Sequence, residues 1–167
     1  MNIDDRWICS RCLHLVQRGS SCGNCGFSDA DYQPKSHHLP PEVLLKQRYL
    51  IASVLGEGGF GITYAGWDLT LDKPVAIKEY FPAGLACRDS SFSFSISPMD
   101  GAERNWYYSG RERFLRESRI LAMLSGVHSI VPVRDFFEEN DTAYIVMDFI
   151  YGESLAEYAI RNGGRFP

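Results

Sequence analysis

Long apolar runs are missing from this 167-residue sequence, and none approaches the ~20 residues that a helix needs to cross a bilayer. The first seven residues also lack the basic-then-apolar order of a signal peptide. Positive charge is not in excess, since the formal net charge is −4 at pH 7, so a polyanionic partner is not indicated. A hydrophobic content of 45% and a charged content of 23% are typical of a folded chain rather than a disordered one.

Aliphatic residues are scarce in the first 30 residues, which hold four of the five cysteines. These four are Cys9, Cys12, Cys22 and Cys25. Two C-x-x-C turns separated by nine residues can present four thiolates tetrahedrally to Zn²⁺, and Gly23 and Gly26 suit such tight turns. Iron in a rubredoxin-like site is the alternative, because four-cysteine geometry alone does not choose between the metals. We predict a zinc-ribbon-like module with a structural zinc over residues 1–31.

The remaining features of this N-terminal region favour a protein contact over nucleic acid binding. Residues 1–33 carry three arginines against four aspartates, so the basic footprint of a nucleic acid binder is missing. A metal site rather than a disulfide framework indicates a reducing compartment, and we expect a cytoplasmic protein in which Cys87 is a bystander thiol. Residues 32–47 contain three prolines and are predicted to form a linker, with His37 and His38 as linker residues rather than metal ligands.

Residues 48–167 alternate between strand and helix signals. We predict strands over residues 49–55, 62–67, 75–78, 131–138 and 142–150, a helix over 111–125, and a short final helix opened by the capping box Ser154–Glu157. The stretch between the third strand and the main helix is predicted to be irregular, apart from a small strand over Phe92–Ile96 where apolar residues alternate with serines.

A glycine-rich string, Gly56-Glu57-Gly58-Gly59-Phe60-Gly61, joins the first two predicted strands. A dinucleotide-binding fold uses the same G-x-G-x-x-G spacing but needs the last glycine to open a helix. Here the β-branched and aromatic residues of the next strand follow instead. A glycine loop between two strands can close over phosphate groups, because glycines let the backbone approach phosphate oxygens without a Cβ in the way.

A lysine and a glutamate downstream form the second part of this pattern. The sequence V-A-I-K ends at Lys78, and Glu117 lies near the predicted apolar face of the main helix. A carboxylate there is costly unless it meets a cation, so we predict that Lys78 and Glu117 form an ion pair. The alternative is a surface glutamate paired with Arg113 or Arg116 of the same helix.

Together the glycine loop, Lys78 and Glu117 resemble the protein kinase family from about residue 48 onward, and most of all bacterial Ser/Thr protein kinases. The resemblance implies an α+β fold, in which residues 48–167 form the five-stranded antiparallel N-lobe sheet with one main helix, the hinge and the first helix of the C-lobe. It implies ATP and Mg²⁺ as cofactors and transfer of the γ-phosphate to serine or threonine of a protein substrate.

The same resemblance implies a role for each site residue. Lys78 and Glu117 would be the catalytic pair, Met147 the gatekeeper, and Thr63 would take a pocket position where many kinases have valine. The residues implied to contact ATP are Leu55, Gly56, Glu57, Gly58, Gly59, Phe60, Gly61, Thr63, Ala76, Lys78, Met147, Asp148, Ile150 and Ser154. Of these, Leu55 and Ala76 would enclose the adenine, the backbone of Asp148 and Ile150 would bind its edge, and Ser154 would meet the ribose.

The strings H-R-D, D-F-G and A-P-E do not occur in the sequence. Kinases take their catalytic base and Mg²⁺ ligands from those strings in the C-lobe. We therefore expect a piece of a longer Ser/Thr kinase that is inactive alone, because the lobe that meets the protein substrate is missing. The alternative is a non-catalytic interaction or regulatory module held by a structural zinc.

Overall fold

The computed structural model describes residues 1–3, 6–124, 126–153 and 155–164. Its β-strands are β1 Asn2–Ile3, β2 Arg6–Trp7, β3 Leu44–Leu45, β4 Tyr49–Gly58, β5 Gly61–Asp68, β6 Lys73–Tyr80, β7 Ala86–Cys87, β8 Ser97–Pro98, β9 Val133–Glu139 and β10 Thr142–Asp148. The helices are α1 Ala102–Met123 and α2 Leu155–Arg161, and Asp29–Asp31 forms a short 3₁₀ turn. Ser154, predicted to open α2, lies outside the described residues.

The central sheet has the strand order β3-β4-β5-β6-β10-β9, and every neighbouring pair is antiparallel. The prediction of an antiparallel sheet with one main helix is confirmed, but the sheet has six strands and not five. The additional edge strand is β3, in which Leu45 pairs with Tyr49. It forms because Leu45 is buried in the main core, at 1% exposure, so this part of the predicted linker contributes a side chain to the fold.

Two further predictions about local structure are wrong. Residues 92–96 form no strand; β7 pairs instead with β8, which starts one residue beyond that segment. Helix α1 begins at Ala102 rather than near Arg111, although Gly110 lies inside it. A Cβ at Gly110 would lie 2.1 Å from the hydroxyl oxygen of Tyr80, so this glycine allows a close helix–sheet approach and does not end the helix.

Alternation along β5 divides the apolar residues between two faces of the sheet. Ile62 and Tyr64 belong to the larger core, which also contains Tyr107 and Leu115 of α1. Ala65 and Trp67 belong to a second core on the other face, because successive side chains of a strand point in opposite directions. Within the described residues, no helix is long and apolar enough to span a membrane.

The second core joins the cysteine-rich module to the sheet. The module contributes Met1, Ile3, Ile8 and Leu13, and the sheet contributes Ala52, Ala65 and Trp67. A buried hydrogen bond from Ser53 Oγ to the carbonyl oxygen of Ser10, 2.7 Å long, adds to this contact. The N-terminal module is therefore packed onto the sheet instead of being held at a distance by a linker.

Candidate nucleotide pocket and metal centre

The glycine-rich string forms the exposed turn between β4 and β5, where Gly58 pairs with Gly61. A Cβ at Gly61 would lie 2.2 Å from the carbonyl oxygen of Glu79, so only glycine fits this position. A Cβ at Gly56, Gly58 or Gly59 would meet no atom within 4 Å, and the backbone there is open to an incoming group. This is the local geometry that a phosphate-covering loop requires.

Strand register brings several of the predicted nucleotide-binding residues to one face of the sheet. Ala76 of β6 pairs with Met147 of β10 on one side and with Ala65 of β5 on the other. Two positions further along β6, Lys78 pairs with Thr63. Directly paired residues, and residues two apart on one strand, share a face of a sheet, so Thr63, Ala76, Lys78 and Met147 lie on the same side.

A cavity of about 960 Å³ opens on this face. Its lining includes five of the predicted nucleotide-binding residues, which are Leu55, Ala76, Met147, Asp148 and Ile150. Lys78, Thr63 and the loop Gly56–Gly61 do not line it. The cavity therefore corresponds to the predicted adenine end of the site, next to the segment that follows β10.

The segment after β10 offers the backbone group that was predicted to bind adenine. The backbone N–H of Ile150 has no hydrogen-bond partner among the described residues. The preceding Asp148 is fixed by its side chain, which accepts hydrogen bonds from Arg134 Nε at 2.8 Å and Lys73 Nζ at 3.2 Å. These two cations lower the pKa of the Asp148 carboxyl, with Arg134 the larger cause. A fixed backbone with a free donor suits a purine edge.

Lys78 and Glu117 do not form the predicted ion pair in this structure. Neither makes a salt bridge within the described part of the chain, and Glu117 is exposed. The reason is the orientation of α1, whose buried residues are Tyr107, Leu115 and Ser118. Glu117 lies off that face and its carboxylate is exposed to solvent. Because the charge is not buried, it does not require a cation beside it.

The buried carboxylate belongs instead to Glu79, next to Lys78 in sequence. Arg88 binds it through two nitrogens, at 2.5 and 2.9 Å, and both side chains are fully buried. The hydroxyls of Tyr64 and Tyr144 donate to the same carboxylate at 2.8 and 2.9 Å. Sequence reasoning missed this cluster, although a glutamate in place of an apolar residue within a buried strand is a signal that a cation must lie nearby.

Glu57 in the glycine-rich loop is held by the preceding segment. It accepts from Lys35 Nζ at 2.7 Å, His37 Nε2 at 2.7 Å and His38 Nε2 at 3.2 Å, and these contacts, Lys35 first, lower its pKa to about 2. The other ring nitrogen of His38 accepts the backbone N–H of Lys35, so its Nε2 carries the hydrogen that points at Glu57. This arrangement favours hydrogen bonding over metal binding by the two histidines.

The four predicted metal ligands come together at the N-terminus. The sulfur atoms of Cys9, Cys12, Cys22 and Cys25 lie within 4.8 Å of one another. The Cys9–Cys25 and Cys12–Cys22 sulfur distances are 3.6 and 3.5 Å. Four ligands at ~2.3 Å from a tetrahedral zinc are about 3.8 Å apart, so the spacing fits a zinc ion.

Both C-x-x-C turns have the same backbone structure, which supports a shared ion. In the first, Leu13 N–H donates to Cys9 carbonyl oxygen at 3.0 Å; in the second, Gly26 N–H donates to Cys22 carbonyl oxygen at 2.7 Å. Leu13 and Gly26 both have positive φ, 62° and 70°. Burial opposes ionisation of Cys22, but backbone N–H groups directed at its sulfur lower its pKa to about 7. Burial raises the pKa of Cys9 to about 12 and also raises the pKa of Cys25, so binding of a metal ion would have to displace the protons of these two thiols.

Comparison with known proteins finds that the chain is similar to bacterial Ser/Thr protein kinases. Among curated proteins, the chain is 34% identical over 120 residues to the Ser/Thr protein kinase PrkC of Bacillus subtilis, covering 72% of this chain and 15% of that protein. It is 31% identical to the kinase pkn2 of Myxococcus xanthus, covering 77% of this chain and 13% of the relative. A third relative, PknL of Mycobacterium tuberculosis, is 31% identical, and here the shares are 74% and 26%.

A solved structure is also similar to the chain in fold and sequence. The apo form of PpkA-294 superposes with a TM-score of 0.69 and 34% identity, over 75% of this chain and 43% of that one. No family model matches the sequence. The chain belongs to the bacterial Ser/Thr protein kinase family. It spans 13% to 26% of the length of the three curated kinases named above, and its sheet and main helix fit a kinase N-lobe.

Proposed function

We propose that this chain is the ATP-binding lobe of a Ser/Thr protein kinase, with a structural zinc in its N-terminal module. The observation that carries the proposal is the cavity between Leu55, Ala76 and Met147, bordered by Ile150, whose backbone N–H has no partner among the residues that the structure describes. Small and apolar walls suit a purine ring, and a backbone donor at the edge of the cavity would fix its orientation. The exposed glycine loop at the end of β4 supplies the backbone that would cover the phosphates.

The lysine and glutamate of the kinase pattern keep their proposed roles in the complete active site. Lys78 shares a face with the cavity-lining Ala76, which is consistent with a phosphate contact next to the adenine. Because Glu117 is solvated in this structure, pairing with Lys78 would require α1 to rotate or shift. The strings that supply the catalytic base and the Mg²⁺ ligands of a kinase do not occur in these 167 residues, so we propose that this chain alone transfers no phosphate.

Nucleotide binding is tested by titrating the metal-loaded chain with adenosine and with ADP in a calorimeter. We expect both to bind, and Ala76→Phe to abolish binding because the ring would fill the adenine end of the cavity. Ala102→Phe makes the same change at an exposed position at the start of α1 and should leave binding intact. If Ala76→Phe binds adenosine as the unaltered chain does, the proposed pocket is wrong.

Phosphoryl transfer is tested in a protein that carries this chain followed by a catalytic lobe. We expect ATP-dependent phosphorylation of serine or threonine in a protein substrate, and its loss on Lys78→Met. A protein with both lobes that retains full activity after Lys78→Met would contradict the role given to this lysine. The metal is tested by elemental analysis, in which we expect one zinc per chain; iron in its place would support a rubredoxin-like site.

A further inference from the structure

We propose that the four-cysteine module is a wall of the nucleotide pocket, so that metal loading of the module controls nucleotide affinity. This inference rests on the proposed function, because it concerns the same cavity. It goes beyond a structural role for the metal, since a merely structural site would stabilise the module without changing what the kinase lobe binds.

The first observation is that the module and the pocket use the same face of the sheet. Ala65 packs against the module and pairs directly with Ala76, which lines the cavity. Phe149, from the segment after β10, packs against the second core, which the module and the sheet share, and also lines the cavity. The second core and the pocket are therefore adjacent and share Phe149.

The second observation is the composition of the cavity wall opposite Leu55 and Met147. Six residues of the cysteine turns line it, namely Arg11, Cys12, His14, Asn24, Cys25 and Phe27. Three of them, Arg11, His14 and Asn24, carry hydrogen-bonding or cationic groups. Ribose hydroxyls and phosphate oxygens are the parts of a nucleotide that such groups bind, whereas the apolar wall suits the base.

The third observation is a direct contact between the turns and the segment after β10. The ring of His14 meets the ring of Tyr151 edge-on, with centroids 5.2 Å apart. The Nδ1 of His14 lies 3.1 Å from the Cys12 carbonyl oxygen and 3.3 Å from Asn24 Nδ2, so it donates to the first or accepts from the second, depending on the tautomer. The two cysteine turns and the predicted adenine-binding segment are thus joined by one chain of contacts.

These wall residues keep their positions only while the turns are formed. Arg11, His14, Asn24 and Phe27 each lie within two residues of a cysteine ligand. Ile8 and Leu13 pack on the sheet, but the residues around the four cysteines carry few aliphatic side chains, and in small zinc modules binding of the ion and folding of such turns are one process. Loss of the ion would therefore remove one side of the pocket as well as unfold the module.

Replacement of Arg11 tests the coupling between the metal site and nucleotide binding without unfolding the module. Its side chain is exposed, makes no ion pair among the described residues, and lies with its guanidinium carbon 6.0 Å from the centre of the Phe27 ring. Arg18 is a matched control in the same module. It is also exposed and lies over an aromatic ring, 5.2 Å from that of Trp7, but it does not line the cavity.

The test measures the dissociation constants of ADP and adenosine, without Mg²⁺, for four forms of the full chain. These are the zinc-loaded chain, the chain stripped with a chelator and then dialysed, and the zinc-loaded variants Arg11→Ala and Arg18→Ala. We expect Arg11→Ala to weaken ADP binding about tenfold, the usual effect of losing one hydrogen bond to a charged group. Stripping should weaken both ligands, readdition of Zn²⁺ should restore them, and Arg18→Ala should match the unaltered chain.

Each outcome decides the inference. It is overturned if Arg11→Ala and the stripped chain both bind ADP within twofold of the zinc-loaded chain, even though adenosine binding then leaves the proposed function in place. It is also overturned if Arg11→Ala binds normally while the stripped chain has lost its fold by circular dichroism, because the metal then acts on stability alone. If no form binds either ligand, the proposed function fails together with this inference.

Discussion

The buried pair between Glu79 and Arg88 makes the sharpest prediction about stability. Arg88 gives the carboxylate two hydrogen bonds and a full counter-charge, and both side chains are excluded from solvent. Arg88→Met keeps much of the side-chain volume but leaves a buried carboxylate without its cation. Removing one partner of such a pair costs about 3–5 kcal/mol of the free energy of unfolding.

Arg88 also connects segments that are far apart in sequence. Its Nη2 donates to the carbonyl oxygen of His37 at 2.6 Å, and its Nη1 to that of Phe94 at 3.3 Å. These carbonyl oxygens would lose their partner in Arg88→Met, so the cost should fall in the upper part of the range. For a chain of this size, each kcal/mol lowers Tm by about 2–4 °C, which gives a decrease of roughly 10–20 °C.

Urea denaturation of the zinc-loaded chain, followed by circular dichroism, measures this cost. Arg111→Met is the matched control, since Arg111 pairs with the exposed Glu138 at 3.4 Å and a surface pair contributes at most about 1 kcal/mol. In the double variant Glu79→Gln/Arg88→Met the buried charge is gone, while the amide oxygen still accepts a tyrosine hydroxyl. We therefore expect the double variant to be more stable than Arg88→Met alone.

The reasoning is refuted if Arg88→Met costs no more than the Arg111 control. It is also refuted if the double variant is less stable than Arg88→Met, because the cost would then come from lost packing rather than from the unpaired charge.

Three further predictions concern the glycine loop and the metal. Gly61→Ala should lower the free energy of unfolding by about 1–3 kcal/mol, because the new Cβ would lie 2.2 Å from a strand carbonyl oxygen. Gly59→Ala is the control, since its Cβ would meet no atom within 4 Å. Equal denaturation midpoints for the two variants would contradict this prediction. The pKa of Glu57 is lowered from 4.5 to about 2, so its contribution to stability is present above pH 4.5 and lost as the pH falls toward 2. Glu57→Gln should flatten that part of the acid titration, and an unchanged curve would argue against the Lys35 contact. Cys25→Ser should lower both the zinc content and the free energy of unfolding. Cys87→Ser, at an exposed cysteine outside the cluster, is the control. Equal losses of zinc and stability in the two variants would contradict the metal site.

Local sequence signals predicted the parts of this chain whose geometry depends on near neighbours. The two C-x-x-C turns and the glycine turn between β4 and β5 appear where the spacing indicated, and the strand predicted over residues 75–78 forms the middle of β6, Lys73–Tyr80. Each is fixed within a few residues by backbone conformation, so the residue types are sufficient. The six-stranded sheet was predicted with one strand too few, because β3 forms only through burial of Leu45 against distant residues.

Charge pairing shows where sequence reasoning fails. A carboxylate near the core does need a cation, but the buried carboxylate is that of Glu79 and not that of Glu117. Helical periodicity placed Phe114 correctly against the main core, but the buried residues of α1 are Tyr107, Leu115 and Ser118, and Glu117 lies outside that set. A single helix residue cannot be assigned as inner or outer until the position of the helix on the sheet is known.

The sequence by itself indicated the family pattern, the cluster of four cysteines and five of the six strands of the central sheet. These depend on motif spacing and on local backbone preference, which a chain carries with it before it folds. Only the tertiary structure decided that Arg88 neutralises Glu79, that Glu57 is held by the segment before the lobe, and that the cysteine module borders the cavity beside Met147. Arg88 and Glu79 are nine positions apart, Lys35 and Glu57 are 22 apart, and the cysteine module is farther still from Met147. All of these partners are chosen by packing and burial, which no local pattern encodes.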